Sequence, residues 1–406
     1  MVSAGRALVI GGSMSGLFAA LALRRCGWDV AVYERVQDEL AGRGAGVVAQ
    51  PQLRTVLRAL GLGGDIALGV DVARRRTFDA DGRVIGEAEC PQTLTSWDRV
   101  YRLLRDAFPA ECYHCGHTLT RVEARGHTVV AHFADASRAE GDLLVGADGL
   151  RSTVRDQFLP ELAPCYAGYV AWRALVAEDA LTASTHRDVF AYLSFCLPPG
   201  EQFLGYPVAG PDDDLRVGHR RYNFVWYRPA AEVSSLPDLL TDVTGVTHPV
   251  SIPPPLVRPD VIRAMREAAD RLLAPQFREI VHLAPQPFLQ PIYDLDVPRM
   301  AFGRVAIVGD AAFLGRPHVA AGIVKAAEDA MALARALGSC GDVEAALRQL
   351  EQERIAIDRR IVERGRHLGA YLQAQLRTAQ EWALAQRHHT PEAVMTEIAV
   401  LDFLEE

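Results

Sequence analysis

Gly11, Gly12, Ser13, Met14, Ser15 and Gly16 follow the apolar run Ala7-Leu8-Val9-Ile10 and precede the helix-forming stretch Leu17 to Leu23. A second apolar run, Val30-Ala31-Val32-Tyr33, ends in Glu34, 23 residues beyond Gly11. A strand, a glycine-rich turn, a helix and a second strand closed by an acid make a device for holding a dinucleotide. Gly11 lets the backbone turn, Gly16 lets the helix lie close to the sheet, and the helix start offers free N–H groups to a pyrophosphate. Glu34 is placed to accept hydrogen bonds from a ribose diol and to repel a 2′-phosphate, which favours FAD or NAD over NADP at this site. Ser13 stands where the fingerprint has its second glycine, so the backbone is expected to approach the ligand less closely there.

Two further segments share this logic. The run Leu143-Leu144-Val145-Gly146-Ala147 leads into Asp148-Gly149, then Ser152 and Arg155. Much later Val305-Ala306-Ile307-Val308 leads into Gly309-Asp310-Ala311-Ala312, a loop with Pro317 and Gly322, and an alanine-rich helix from Lys325 to Leu337. Singly, each is an ordinary strand-to-turn junction at which the acid caps the next helix. In this order and at these distances the three motifs resemble the single-component FAD-dependent aromatic hydroxylases, the family of p-hydroxybenzoate hydroxylase. The resemblance covers nearly the whole chain.

It implies that Gly11, Ser13, Met14, Ser15, Gly16 and Glu34 hold the ADP part of FAD, with Arg35 against the adenosine and Arg43 nearby. Arg102 would line the cofactor from its helix, and Asp148, with Gly149, Ser152 and Arg155, would serve FAD and the nicotinamide donor. Asp310 would bind the ribityl chain, with Pro317, Gly322 and Ile323 in the flavin loop. Several stretches look like the 2,6-dihydroxypyridine 3-monooxygenase subgroup: Gln50 to Leu53, Thr95 to Asp98, Tyr166 to Arg173, Asn223 to Tyr227, and Arg316 to Gly322 with Lys325 and Asp329.

The implied chemistry has two halves. NADH or NADPH, bound transiently, reduces FAD; the reduced flavin then reacts with O₂, and a C4a-hydroperoxide hydroxylates an electron-rich ring of hydroxypyridine or phenol type. The alternative is the same chemistry, as epoxidation or oxidative rearrangement, on a larger natural-product scaffold. A flavin-dependent halogenase would share the fold, but its Trp-x-Trp-x-Ile-Pro motif is absent. A non-catalytic flavoprotein would bind nucleotide without substrate-stimulated NAD(P)H consumption.

A phenol or hydroxypyridine is more nucleophilic as its anion, so a proton acceptor would help, and an imidazole near its ordinary pKa suits that task. His318, on the loop expected beside the flavin, is the candidate; the competing reading is that it only ties the loop. Strand alternation places Asn223, Val225 and Tyr227 on one face and Tyr222, Phe224 and Trp226 on the other. Asn223 and Tyr227, with Tyr206 from a neighbouring strand, are the candidate substrate contacts; the plainer reading is that these side chains fill the sheet's core.

These elements imply an α/β protein: a Rossmann-type FAD-binding lobe with an inserted antiparallel-sheet substrate lobe and a C-terminal helical segment. The expected FAD-binding domain is discontinuous, at 1–70, 94–160 and 296–340. The substrate domain takes 71–93 and 161–295, and 341–406 forms the helical segment. Leu347, Leu350, Ile355, Ile361 and Leu368 are expected to form one apolar stripe there. Arg74-Arg75-Arg76, Arg220-Arg221 and His388-His389 read as solvated surface.

The 406 residues are 49% hydrophobic and 23% charged, which suits a folded chain and excludes disordered, collagen-like and rod-like classes. Forty-three basic and 51 acidic residues leave −8, with no basic surplus for nucleic acid. No apolar run reaches the roughly 18–20 residues of a membrane span. With no secretion-like opening, the seven cysteines are expected as reduced thiols in a cytoplasm. Cys112-Tyr113-His114-Cys115 lacks a second cysteine pair at zinc-ribbon distance, so no metal is expected. The expected partner is a small aromatic or heteroaromatic substrate, and the chain is expected as a monomer or homodimer.

Overall fold

The structure, a computed structural model, describes residues 5–38, 40, 46–64, 66–375 and 378–405. Its three motif strands lie side by side. Arg6–Ile10 pairs in parallel with Asp29–Tyr33 on one edge and Leu143–Gly146 on the other, and Leu143–Gly146 pairs in parallel with Val305–Ile307. Tyr113–His114 and Ala301–Phe302 close the two ends of this six-stranded sheet. Because the motif strands run the same way, the turns after Ile10, Gly146 and Ile307 open on one edge, where ligands of such sheets bind.

Both faces are covered, as continuous apolar parallel strands require. Ala7 and Val9 face the helices Met14–Arg25 and Gly322–Ser339, whereas Leu8 and Ile10 face a three-stranded antiparallel sheet of Leu119–Arg125, Thr128–Phe133 and Arg138–Gly141.

Among the described residues the second sheet has nine strands. Its centre is antiparallel: Phe288–Asp296, Cys165–Ala177, Arg221–Pro229 and Gln202–Val208, followed by Tyr192–Cys196. The hairpin Val70–Phe78 and Val84–Ser96 joins through a parallel pairing with Tyr192–Cys196. Gly46–Ala49, expected in the nucleotide lobe, is the outermost strand of this sheet instead. The alternation along Arg221–Pro229 holds. Tyr222, Phe224 and Trp226 are fully buried against the helices Pro259–Leu272 and Pro275–Leu283, and burying a side chain such as Phe224 contributes about 1.5–3 kcal/mol. Val225 and Tyr227 face the opposite way, into a cavity between the sheets.

The helix Val343–Leu368 packs on Gly322–Ser339. Leu347, Leu350, Ile361 and Leu368 are buried in the main core, while Ile355 leans on a separate cluster beside Leu295 and Phe313. Arg354 and Asp358 interrupt the stripe, buried and paired with each other at 2.6 Å. Two surface expectations are corrected. Arg75 is fully buried, because alternation turns it inward while Arg74 stays exposed opposite Glu87 and Glu89. His388 is buried against Glu397. Among the described residues no helix is long and apolar enough to cross a membrane, and no group of His, Cys, Asp and Glu is arranged to hold a metal ion.

Candidate active site

Gly11 has φ +104°, and a Cβ there would stand 2.3 Å from the carbonyl oxygen of Ala147. A Cβ on Gly16 would stand 1.8 Å from that of Gly11. The two glycines thus let the first turn, the second motif and the helix Met14–Arg25 converge. Ser13 ends the turn without capping the helix through its side chain, and no acid occupies the first helical turn, so its leading N–H groups stay available to an anion.

A cleft of about 610 Å³ opens here, walled by Gly11, Ser13, Glu34, Arg35, Asp148 and Arg151 among others. Glu34 is buried, accepting hydrogen bonds from the backbone N–H groups of Gly12 at 2.8 Å and Val36 at 2.9 Å. Those bonds fix its carboxylate at the cleft wall. Asp148 accepts from the Ser152 hydroxyl at 2.5 Å and from the N–H of Val154, and burial pushes its carboxyl up from the usual range. Ser152 and Arg155 support rather than line the cleft. Ser152 caps the helix Thr153–Phe158, and Arg155 donates to the carbonyls of Leu150 and Ala311, tying the Asp148 turn to the Asp310 turn.

A second cavity of about 400 Å³ shares the walls Ser13, Val47, Trp97, Leu150 and Arg173 with the first. Met14, Ser15, Asp310, Pro317, Gly322 and Ile323 line it. Gly309 has φ +61°, and a Cβ there would strike the Ser15 hydroxyl at 2.0 Å. Burial pushes the Asp310 carboxyl up, opposed by the charge of Lys325. Lys325, the one lysine among 43 basic residues, is buried with its Nζ 3.4 Å from Asp329. Asp329 also accepts from the N–H of Gly309 at 3.0 Å and from Arg354 at 2.8 Å. This ionic knot fixes the turn that presents Asp310, and its buried members were not legible as a group.

At the far end His318 is 1% exposed, its Nε2 2.8 Å from the Tyr169 hydroxyl and its ring 4.6 Å from that of Tyr227. Burial, and then the nearby Arg316 charge, pull the imidazole down to about 3, so it is neutral at ordinary pH. The sequence placed His318 at the cavity but not in this state: it is a far weaker base than an unperturbed imidazole. Arg316 pairs with Asp294 at 2.9 Å, and Arg366 holds the other oxygen of Asp294 at 2.8 Å.

The chain matches an FAD binding domain profile over residues 5–200 and an FAD binding domain-like profile over 166–294. It is 35% identical to 2,6-dihydroxypyridine 3-monooxygenase of Paenarthrobacter nicotinovorans over 351 residues, 86% of this chain and 87% of that protein. The chain belongs to the FAD-dependent aromatic hydroxylases. The solved 2,6-dihydroxypyridine-3-hydroxylase of Arthrobacter nicotinovorans superposes on this hydroxylase with a TM-score of 0.86, at 32% identity, over 93% of this chain and 96% of that one. HpxO of Klebsiella pneumoniae, solved with FAD and uric acid, shares the fold at a TM-score of 0.76, with 24% identity and 98% and 96% coverage.

The hydroxylase's own residues fit an FAD. The open helix start at Ser13 to Ser15 lies where the two cavities meet, Glu34 stands at one end, and Asp310 faces the other without a hydrogen-bond partner among the described residues. Other sites lie elsewhere than expected. Arg102 lines neither cavity and pairs with Asp213 at 3.4 Å in a half-exposed contact. Asn223 is fully buried, and its side-chain oxygen accepts from the N–H of Gly46 at 2.9 Å, so it pins the edge strand. Tyr206 and Tyr227 do line the second cavity. Arg43 falls outside the described residues.

Arg173 was missed. It lines both cavities and donates to the Gly46 carbonyl and to Gln290, each at 3.1 Å. Its place in Tyr166 to Arg173, a stretch singled out by resemblance, was the available signal.

Proposed function

We propose that this FAD-dependent monooxygenase, which uses NAD(P)H and O₂ to hydroxylate an electron-rich ring, acts on a small hydroxylated heteroaromatic of the hydroxypyridine type. The second cavity supports this reading: about 400 Å³, walled by apolar side chains together with polar groups from Tyr206, Tyr227, Arg173, Asp310, Arg316 and Lys325. That volume has to take the flavin ring as well, which leaves room for one small ring rather than a large scaffold.

FAD, when bound, accepts hydride from the nicotinamide and activates O₂. The chain does the rest. Ser13 to Ser15 offer backbone N–H groups to the pyrophosphate, Glu34 meets the ribose, and Asp310 meets the ribityl chain. Tyr206 is pushed up to about 12 by burial and Tyr227 is raised in the same way, so both keep their protons and donate hydrogen bonds to ring oxygens. The Arg173 cation at the junction of the cavities favours a substrate bound as its anion. His318, neutral and held by the Tyr169 hydroxyl, does not take a full proton from the ring. The buried walls from Val225 and Leu204 exclude water from the reacting ring.

Anaerobic titration of the FAD-loaded protein tests the site. 2,6-Dihydroxypyridine and a hydroxynicotinate should perturb the flavin absorption at micromolar to millimolar concentration, and Tyr227→Phe should weaken them. Perturbation only by polycyclic ligands would contradict the small-ring reading.

A further inference from the structure

The short helix Pro391–Glu397 carries the chain end back over the second cavity, where Ile398 and Ala399 line the wall together with His318 and Tyr227. Ala399 adopts φ +53°, a conformation that L residues rarely hold without anchors. Its anchors are present on both sides. The N–H of Ala399 donates to the carbonyl of His318 at 2.8 Å, and its carbonyl accepts from the side-chain amides of Gln50 and Gln92, both at 3.0 Å.

Arg75 completes the arrangement. It comes from the middle of Val70–Phe78, is fully buried, and donates to the carbonyl of Ile398 at 2.7 Å and of Met395 at 3.0 Å. Its Nη2 and Nε donate to the Gln92 side-chain oxygen at 2.7 and 3.2 Å, and the Cys90 thiol is a further neighbour. These hydrogen-bond acceptors are all neutral. A buried guanidinium without a carboxylate partner depends on such acceptors to replace its lost water. Displacing the strap would therefore strand a buried cation, so the strap and Arg75 fix each other.

We propose that Ile398 and Ala399 form a specificity-determining wall that limits the size of ring the cavity accepts, and that Arg75 is the positioning residue that holds this wall in place. The inference rests on the reading of this cavity as the place of oxidation. It goes beyond that reading by assigning substrate size to the chain end, far in sequence from every nucleotide motif.

The test is a ratio, which does not depend on how much of a preparation is folded. For wild type, Ile398→Ala, Ala399→Val, Arg75→Met and Arg75→Lys, kcat/KM is measured for an unsubstituted hydroxypyridine and for one bearing an alkyl substituent. Ile398→Ala should raise the large-to-small ratio at least fivefold by opening the wall. Arg75→Met and Ala399→Val should raise it by displacing the strap, the second because a β-branched residue resists φ +53°. Arg75→Lys, which keeps a donor in place, should restore part of the wild-type ratio. A ratio unchanged in both Ile398→Ala and Arg75→Met would overturn the proposal, because a purely structural arginine lowers thermal stability without moving selectivity.

A second measurement needs no turnover. Iodide quenching of bound FAD fluorescence should rise about threefold in Arg75→Met as the cavity opens. If no ring compound is oxidised by wild type yet quenching rises in Arg75→Met, the substrate reading fails and the size-selective role falls with it, while Arg75 still holds the strap closed over the cavity. If wild type turns over and neither the ratio nor the quenching moves, the wall fails alone.

Discussion

The hydroxyl of Tyr169 lies 2.8 Å from Nε2 of His318, and no group among the described residues meets the other ring nitrogen. The imidazole is therefore held by one bond in a buried place, with the Arg316 charge close by, and its folded-state pKa falls to about 3 from an ordinary 6.5. Below pH 6.5 the unfolded chain takes up a proton that the folded protein refuses until about pH 3. Stability is lost over that window at about 1.4 kcal/mol per pH unit, and the group contributes nothing to pH dependence above it. Between pH 6.5 and 5.0 wild type should thus lose about 2 kcal/mol more than His318→Gln in urea unfolding. Parallel pH dependences for the two proteins would refute the buried neutral state.

Asp310 presents a carboxyl to the cavity from a turn fixed by the Asp329 knot. A hydrogen bond is worth about 0.5–1.5 kcal/mol to a neutral group and about 1.5–3 kcal/mol to a charged one, so Asp310→Ala should weaken FAD binding by about two- to a hundredfold. Lys325→Met should weaken it in the same direction, since it removes the cation that opposes the upward push on Asp310. Fluorescence titration of the FAD-stripped protein measures both. FAD affinity unchanged in Asp310→Ala would remove that residue from the cofactor site.

Arg102 separates family expectation from observed geometry. Its pairing with Asp213 is half-exposed, the kind of contact worth about 0–1 kcal/mol. Arg102→Ala should change the FAD dissociation constant less than twofold and stability by under about 1 kcal/mol. A loss of FAD affinity near that of Asp310→Ala would show that the arginine reaches the cofactor after all.

The two faces of Arg221–Pro229 should separate stability from catalysis. Trp226→Ala empties a fully buried site and should cost about 3–5 kcal/mol in chemical denaturation. Tyr227→Phe removes one hydroxyl from the cavity and should shift KM and coupling with little change in unfolding midpoint. The opposite pattern would mean that the faces are exchanged.

What the sequence made legible was local and periodic. Turn glycines such as Gly11, the strand-end turns that carry Asp148 and Asp310, and the alternation around Phe224 and Trp226 depend on near neighbours, so spacing places them, whereas the cofactor roles of the two acids come from the family resemblance. Arg75, Asn223, Arg173 and the Lys325–Asp329–Arg354–Asp358 knot depend on partners up to hundreds of residues away. Charged residues in strands and helices read as solvent-facing until the opposing element is known. Alternation did hold one usable clue: with Arg74 and Arg76 on one face, Arg75 has to point to the other.

The central claim is coupled oxidation of a small hydroxylated ring by the FAD-loaded protein. The most direct measurement is NADH and NADPH consumption under air with 2,6-dihydroxypyridine, other hydroxypyridines and simple phenols, counting hydroxylated product and H₂O₂ together. The account predicts strong stimulation by a hydroxypyridine, with product formed nearly one for one with reductant and little H₂O₂. Stimulation by none of these compounds, or reductant consumed entirely as H₂O₂ with every one, would contradict it.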